Sequence, residues 1–266
     1  MPCVVVKHAN LEYELEGAGT ATVAFLNGIA MSISHWRPIA RSLGSDFRCL
    51  CHDFRGQLLS SQSPSGHPIH LSDHVEDLQR LLATLGISRV HLVGTSYGAE
   101  VAMTFAVACP SLTSSLCVIA GVSELDPLLR ATAEAWKATA LADPVAFYRS
   151  LIPWNYSSSY IGANTAALAK REEAVAGLPR EYFLDFAALC DAFLEINLTS
   201  QLSRISCPTL VLVGEKDILK HEGFARIIAD SIIGSRLQVV PGAGHAVVIE
   251  QPEAVLAKIR EFVRAA

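Results

Sequence analysis

The chain has 266 residues, of which 51% are hydrophobic, and is therefore long enough to bury a sizeable core as a single α/β domain. Its formal net charge is −5, with acids and bases dispersed rather than gathered in a basic stripe, which argues against nucleic acid as a partner. No apolar run of about 18 residues predicts a membrane span, and the first residues lack the pattern of a secretory signal.

Seven cysteines occur, most of them inside apolar runs such as FRCLCHD and SLCVIAG. This placement indicates buried free thiols and favours a reducing, cytoplasmic location. Cys49 and Cys51 face the same side of a predicted strand, but a metal site needs more ligands than His52 alone can add. We therefore predict no metal site and no other cofactor.

Apolar strands and helical patterns alternate along most of the chain. The predicted strands are, in chain order, LEYELEG, TVAFLNG, FRCLCHDFRG, VHLVGTS, SLCVIAG, TLVLVGEKD and RLQVVPGAG. The predicted helices of this part are LSDHVEDLQRLLATLG, GAEVAMTFAVACP and EAVLAKIREFVRAA. This alternation predicts an α/β fold with a mostly parallel central sheet and helices on both faces.

Residues 124–203 interrupt the alternation with helical segments that are rich in aromatic side chains. DPLLRATAEAWKATALADPVAFYRSLIP and LPREYFLDFAALCDAFLEI have helical patterns, with no convincing strand between them. We interpret this segment as a helical cap inserted into a core domain of residues 1–123 and 204–266. Its aromatic residues could pack a small core, bind an apolar substrate, or do both. Phe147 and Trp154 are the candidate substrate contacts from this segment.

The stretch VHLVGTSYGAEVAM places Ser96 on a tight turn between a predicted strand and a predicted helix. G-x-S-x-G alone is a weak signal, because glycine and serine are common residues. In this context the serine is forced into a strained conformation, which only small neighbours such as Gly94 and Gly98 allow. The N–H of Tyr97 then lies at a helix N-terminus, where it can stabilise an oxyanion. The motif therefore favours a nucleophile over a structural turn.

A serine nucleophile needs a base, and the base needs a group that orients it. Among nine histidines, His245 lies in VVPGAGHAVVIEQPE, where flanking glycines permit a loop that aims the ring inward. His52 also ends a strand, but it precedes Asp53 and Arg55, which indicate a structural ion pair. Five other histidines lie in polar stretches and are predicted to be solvated: His8, His67, His70, His74 and His221.

The orienting acid is expected at the end of a strand and before the histidine in the chain. TLVLVGEKDILK supplies Asp217 at such a position, although a surface acid in a charged turn would give the same pattern. Glu124 and Asp126, after the preceding strand, are the alternative acids. Ser96, Asp217 and His245 each follow a different predicted strand, so one edge of the sheet can bring them together.

These segments resemble the α/β-hydrolase family along essentially the whole chain. In that family the triad has the chain order serine, acid, histidine. VHLVGTSYGAE resembles its nucleophile elbow, TVAFLNGIA its oxyanion loop, and CHDFRGQLLSS the strand and turn that follow. The chain is similar to small capped hydrolases that include 3-oxoadipate enol-lactonases and carboxylesterases. The resemblance implies an α/β-hydrolase fold and the triad, but it does not specify a substrate, since this scaffold hosts many chemistries.

Two segments depart from the family pattern. The oxyanion loop usually reads His-Gly but has Asn27 before the glycine, and the stretch Gly56-Gln57-Leu58-Leu59-Ser60 lacks the second glycine that is common after the first. By resemblance, the second oxyanion donor beside Tyr97 is the backbone N–H of Ile29. We therefore expect Asn27, a candidate residue of the substrate site, to support this loop by hydrogen bonds without donating to the oxyanion.

The leading functional hypothesis is hydrolysis of a small-molecule carboxylic ester, thioester or lactone through an acyl-enzyme on Ser96. In this mechanism His245 carries the proton and Asp217 orients the imidazole. An Asn-Gly loop also occurs in hydroxyacyl transferases of bacterial lipid and polyester synthesis, so acyl transfer to an alcohol or thiol is the alternative. A cofactor-free oxygenase or lyase, and a receptor with an unused triad, are further possibilities on this fold.

Overall fold

The computed structural model describes residues 2–6, 9–58, 60 and 68–266. Within this part of the chain one eight-stranded sheet has the order β1-β2-β4-β3-β5-β6-β7-β8. The strands are β1 (Cys3–Val6), β2 (Ala9–Glu16), β3 (Thr22–Leu26), β4 (Arg48–His52), β5 (Val90–Thr95), β6 (Thr113–Ile119), β7 (Thr209–Gly214) and β8 (Arg236–Val240). β2 pairs antiparallel with β1 and β4, and all pairs from β4 to β8 are parallel. The prediction of a mostly parallel sheet is confirmed.

The central strands β3, β5 and β7 are buried along their whole length. Helices cover both faces of a parallel sheet, so TVAFL, VHLV and TLVLV lack polar alternation. All seven predicted strands are present. The additional strand β1 lies at the edge, and its four residues CVVV are too few to show a period.

Helices α1 (Arg37–Leu43), α2 (Leu71–Thr84), α3 (Tyr97–Ala108), α9 (Glu222–Ser231), α10 (Val247–Glu250) and α11 (Pro252–Ala265) belong to the sheet-flanking layers. On one face, apolar side chains of α2, α3 and α9 pack on the sheet, for example Leu78, Phe105 and Ile228. On the other face α1 and α11 contribute a second core with residues such as Ile39 and Phe262.

Five helices, which we call the intervening helices, lie between β6 and β7: α4 (Pro127–Ala142), α5 (Pro144–Asn155), α6 (Ser158–Ala163), α7 (Thr165–Ala176) and α8 (Arg180–Leu194). α4 packs against α5 and α8, and α5 packs against α7. The segment DPLLRATAEAWKATALADPVAFYRSLIP, for which a helical pattern is predicted, is helical and divides into α4 and α5. Asp143 caps α5 by accepting from the N–H groups of Val145 and Ala146, and Pro144 occupies the first helical position.

All seven cysteines are free thiols, and five of them are buried, in line with the sequence pattern. Among the described residues, no helix is both long enough and apolar enough to cross a membrane. The same part of the chain contains no group of three or more histidine, cysteine, aspartate or glutamate side chains arranged to hold a metal ion.

Candidate active site

Ser96 lies at the sharp turn between β5 and α3. Its φ of 52° and ψ of −120° are a strained combination for a residue with a side chain. A Cβ on Gly94 would come within 2.2 Å of the Gly98 carbonyl oxygen, and one on Gly98 within 2.2 Å of the Leu26 carbonyl oxygen. The two glycines of GTSYG are therefore required by close backbone approach, and the surrounding structure keeps the serine in its strained conformation.

Three side chains from the ends of different strands form a continuous hydrogen-bonded relay. His245 Nε2 lies 2.9 Å from Ser96 Oγ, and His245 Nδ1 lies 2.9 Å from Asp217 Oδ2. Asp217 and His245 are both buried. The structure thus brings together the three residues that the sequence predicts as a triad, with Nδ1–H donating to the carboxylate and Nε2 free to accept from the serine hydroxyl.

The Asp217 carboxylate is satisfied by more than the histidine. Its other oxygen, Oδ1, accepts from the N–H groups of Leu219 at 2.9 Å and Lys220 at 2.8 Å. Burial alone would raise the pKa of Asp217, but the neighbouring His245 and the two backbone donors lower it below its ordinary value. The carboxylate is therefore ionised at neutral pH and stays fixed behind the imidazole.

A buried ion pair braces the loop that carries this acid. The Lys220 ammonium lies 2.9 Å from a carboxylate oxygen of Glu100, and both side chains are almost completely inaccessible. Glu100 also accepts from the backbone N–H of Val122 at 2.8 Å. Burial raises the pKa of Glu100 despite the opposing effect of Lys220. The pair ties the loop after β7 to α3, directly behind the strained serine.

The alternative acids have other partners. Asp126 caps α4 by accepting from the Leu129 N–H at 2.7 Å, and Glu124 accepts from the Thr199 hydroxyl at 2.6 Å. Among the alternative bases, His52 is completely buried, neither ring nitrogen has a hydrogen-bond partner, and burial lowers its pKa to about 4. The geometry therefore places Asp217, rather than these acids, beside His245.

The predicted environment of the remaining histidines is only partly correct. His74 is buried rather than solvated, because α2 turns it inward and its Nε2 lies 2.9 Å from the Tyr97 hydroxyl. Burial lowers the pKa of His74 to about 3. His70 and His221 are accessible, whereas His8 and His67 lie outside the described residues. Arg55 forms its buried ion pair with Asp77 on α2 at 2.6 Å.

The loop after β3 lies next to Ser96 and is supported by two amide side chains. Asn27 Nδ2 lies within hydrogen-bond distance of three oxygens: the His52 carbonyl at 3.2 Å, Asp53 Oδ1 at 2.9 Å and Gln57 Oε1 at 3.1 Å. Gln57 Nε2 in turn donates to the carbonyl oxygens of Gly28 at 2.9 Å and Ile29 at 3.1 Å. Asn27 and Gln57, which lie in the two segments that depart from the family pattern, are thus direct hydrogen-bond partners.

Two backbone N–H groups near the serine are unused. Those of Ile29 and Tyr97 donate to no group in the described part of the chain. A Cβ on Gly28 would lie 3.5 Å from the Ser96 Cβ, which shows how closely this loop approaches the serine. Free backbone donors beside a candidate nucleophile are what an oxyanion requires.

A cavity of about 290 Å³ opens above Ser96, between the sheet and the intervening helices. Phe147 lines it, together with other apolar side chains of α4, α5, α7 and α8. Two predicted substrate contacts are not part of its lining. Asn27 is fully buried beneath the loop, and Trp154 lines a separate small depression between α4 and α5. Helix α5 turns Phe147 toward the cavity and directs Trp154 elsewhere.

Sequence reasoning missed several residues of this site. Gln57 lies in a segment that departs from the family pattern, but its pairing with Asn27 could not be inferred without the fold. Glu100 lies within the elbow sequence, and nothing in the sequence indicates its pairing with Lys220. Arg171 of α7 also lines the cavity, although its surroundings, AKREEAV, read as an ordinary solvated helix face.

Comparisons with known proteins agree with this fold. The model of the alpha/beta hydrolase family matches residues 23–258. "Putative carbamate hydrolase RutD" of Caulobacter sp. strain K31 is 27% identical over 258 residues, covering 95% of each chain. The crystal structure of MGS-M2, an alpha/beta hydrolase enzyme from a Medee basin deep-sea metagenome library, has a TM-score of 0.94 at 25% identity and covers 98% of this chain and 97% of that one.

A thermophilic esterase from Thermogutta terrifontis has a TM-score of 0.86 at 26% identity, with coverage of 97% of this chain and 94% of its own. The family match spans far more than half of the sequence, and the structural likeness extends over nearly all of it. The predicted α/β-hydrolase fold is therefore confirmed, and a hydrolytic function is supported. The chain belongs to the alpha/beta hydrolase family.

Proposed function

We propose that the protein is a serine hydrolase that cleaves a carboxylic ester, thioester or lactone. The observation that carries this proposal is the unbroken relay from Ser96 Oγ through His245 to Asp217, with 2.9 Å at each step. A serine hydroxyl becomes nucleophilic at neutral pH when a base of this kind can take its proton. The relay opens into a mainly apolar cavity, which suits the hydrocarbon part of an ester.

The reaction has two balanced steps. Ser96 Oγ attacks the carbonyl carbon as its proton passes to His245 Nε2, and the imidazolium then protonates the leaving alcohol or thiol. A water molecule next attacks the acyl-enzyme, giving its proton to His245, which returns it to Ser96 as the carboxylic acid leaves. Asp217 keeps the imidazole in the required tautomer and stabilises its cation throughout.

The free N–H groups of Ile29 and Tyr97 are the proposed oxyanion hole for both tetrahedral intermediates. Gln57 donates to the carbonyl oxygens of Gly28 and Ile29 and is itself held by Asn27, so the loop is fixed without using the Ile29 N–H. Ile29 lines the cavity. Residues 124–203 are the proposed cap over the core domain of residues 1–123 and 204–266.

Carbamate hydrolysis is a second candidate, because the relative from Caulobacter is named for that activity. A carbamate carbonyl could be attacked by the same relay. The mainly apolar cavity of about 290 Å³ favours a larger acyl group than the smallest carbamates provide. Acyl transfer to an alcohol or thiol would use the same first step with another acceptor in place of water.

The deciding experiment combines active-site labelling with a substrate panel. A fluorophosphonate probe should label the wild-type protein and leave Ser96→Ala unlabelled. p-Nitrophenyl esters of increasing chain length, lactones and aryl carbamates would then rank the substrate classes by kcat/KM. Added alcohol that diverts the acyl group from water would favour the transferase. Absence of labelling and of turnover across the panel would contradict the proposed function.

A further inference from the structure

The wall of the cavity that the intervening helices form, which we call the cap wall, carries one charged side chain with no acidic partner among the described residues. The described residues that line the cavity include two cationic side chains, Arg171 and Lys220, and no aspartate or glutamate. Lys220 is neutralised by Glu100 at 2.9 Å. Arg171 forms no ion pair within the described residues. The positions outside the described part of the chain include no aspartate or glutamate. Glu172, its neighbour on α7, pairs with Arg149 instead, at 2.7 Å.

The hydrogen-bond partner of Arg171 is a neutral imidazole. Arg171 Nη2 lies 2.9 Å from His35 Nε2. Burial, together with the nearby guanidinium, lowers the pKa of His35 to about 4, so the ring is uncharged at neutral pH. Nδ1 lies 3.2 Å from the Ser32 backbone nitrogen and 3.3 Å from the Ser32 carbonyl oxygen. Since Nε2 accepts from the guanidinium, the ring proton belongs on Nδ1, which then donates to the carbonyl and does not accept from the Ser32 N–H. His35 therefore orients the guanidinium without compensating its charge.

A second polar group in the same wall has no partner. The Tyr148 hydroxyl is buried and makes no hydrogen bond. Burial raises the pKa of Tyr148 to about 12, so at neutral pH the phenol keeps a proton that it can donate. Arg171 is near enough to Tyr148, Tyr156 and Tyr182 to oppose the rise in the pKa of each phenol. All of these side chains line the cavity that also contains Ser96.

We propose that Arg171 and Tyr148 form an anion subsite in the cap, so that the enzyme acts on esters or lactones that carry a second carboxylate remote from the scissile carbonyl. A half-buried guanidinium with free donors matches a carboxylate, which can accept two hydrogen bonds from it. A buried hydroxyl without a partner is costly unless a ligand supplies one. This inference deepens the proposed function and rests on it for the hydrolytic step.

The test compares matched anionic and neutral substrates. The anionic series consists of mono-p-nitrophenyl succinate, glutarate and adipate, and the neutral series of the same compounds with the free acid as a methyl ester. The wild type should prefer the anionic member at its best chain length. Arg171→Gln should lower the anionic-to-neutral ratio of kcat/KM by about 10- to 100-fold, the range for losing a hydrogen bond to a charged group.

Two further variants separate recognition from general charge. Tyr148→Phe removes only the hydroxyl and should lower the same ratio by a smaller factor. Arg149→Gln removes an equal charge from the cap, but Arg149 is exposed, pairs with Glu172 and lies outside the cavity lining. It should leave the ratio unchanged. A ratio that is the same in wild type and Arg171→Gln, or that falls equally in Arg149→Gln, would overturn the subsite.

A binding measurement keeps the subsite testable if hydrolysis itself fails. Calorimetry with glutarate and adipate, which contain no ester bond to cleave, should show binding to the wild type that Arg171→Gln weakens at least tenfold. Binding without turnover of any ester would contradict the proposed hydrolase and support the subsite. Turnover of esters, together with diacid binding that Arg171→Gln does not weaken, would support the proposed hydrolase and overturn the subsite.

Discussion

The two walls of the cavity differ in how far their polar groups are paired within the protein. On the sheet side, Ser96, His245 and Asp217 are joined in one relay, and both Asp217 oxygens accept from protein donors. On the cap side, within the described part of the chain, Arg171 has only a neutral partner and the Tyr148 hydroxyl has none. Reactive groups gain from being fixed in advance, whereas recognition gains from groups whose partner arrives with the ligand.

The contrast predicts different responses to mutation. Side chains of the sheet wall act as one unit, so removing a member should disable the chemistry for every substrate. Side chains of the cap wall should change which substrate is preferred. A sheet-wall variant that changes only substrate preference, or a cap-wall variant that loses activity on every substrate, would show that the division is wrong.

The largest effect is expected at the serine itself. Ser96→Ala removes the nucleophile and should lower kcat by about 10⁴-fold or more. The strained φ at this position is retained by alanine, so circular dichroism and the melting temperature should show an intact fold. Retention of more than a tenth of the ester hydrolysis rate would mean that the serine is not the nucleophile and would favour a base-only reaction such as an oxygenase or lyase.

Asp217→Asn should cost on the order of 10⁴-fold in kcat, because an amide favours the wrong tautomer of His245. The matched control is Asp126→Asn. Asp126 caps α4 and does not touch the relay, so its amide should change kcat by less than about threefold, consistent with the small loss expected when one good capping residue replaces another. Kinetics of both variants on one ester decide the assignment, and greater damage from Asp126→Asn would overturn it.

An intermediate effect is expected at Asn27 and Gln57. Both side chains support the loop after β3, and neither lines the cavity. Each alanine variant should cost less than the loss of an oxyanion donor, which is about 10²- to 10³-fold in kcat. Since the two amides share a hydrogen bond, the losses should not add in a double-mutant cycle. Additive losses would mean that they act separately.

Asn27→His restores the residue that is usual in this family and tests the same loop. The variant should fold and keep substantial activity, with a changed pH profile because a titratable imidazole enters the site. A phosphonate-bound crystal structure supplies the geometric check. An Asn27 amide within hydrogen-bond distance of the oxyanion mimic, with the Ile29 N–H turned away, would make Asn27 a donor and contradict its supporting role.

The site residues of the sheet wall are far easier to predict from the sequence than those of the cap wall. The elbow at Ser96 has a local cause, since Gly94 and Gly98 are required by the tight turn. The positions of Asp217 and His245 follow from the rule that parallel strands end at one edge of the sheet. The fold and all three relay residues can therefore be predicted from the order of strands, turns and polar side chains along the chain.

The cap wall has no comparable rule. Its helices pack by apolar contacts that many arrangements satisfy, so the pattern does not fix which side chain of α5 faces the cavity. Phe147 and Trp154 are both aromatic, and only the packing of α5 distinguishes them. The role of Arg171 is equally hidden in the sequence, because a cation on an amphipathic helix is usually solvated. The same ambiguity makes His74 look solvated, although α2 turns it inward.

The effect most specific to the intervening helices is expected from substituting their two aromatic candidates, and it changes substrate preference rather than activity toward every substrate. Phe147 is almost fully buried, packs against Phe186 with 4.6 Å between ring centroids, and lines the cavity. Phe147→Leu should enlarge the pocket and change the kcat/KM ratio of neighbouring ester chain lengths by about 10- to 200-fold, the range for a methylene in an apolar pocket. Trp154→Leu alters the depression between α4 and α5 and should leave the preference unchanged. Both variants should be compared on one p-nitrophenyl ester series after their melting temperatures show that they are folded. A shift of preference in Trp154→Leu, or an unchanged profile in Phe147→Leu, would mean that the cap covers the site without determining which acyl group it accepts.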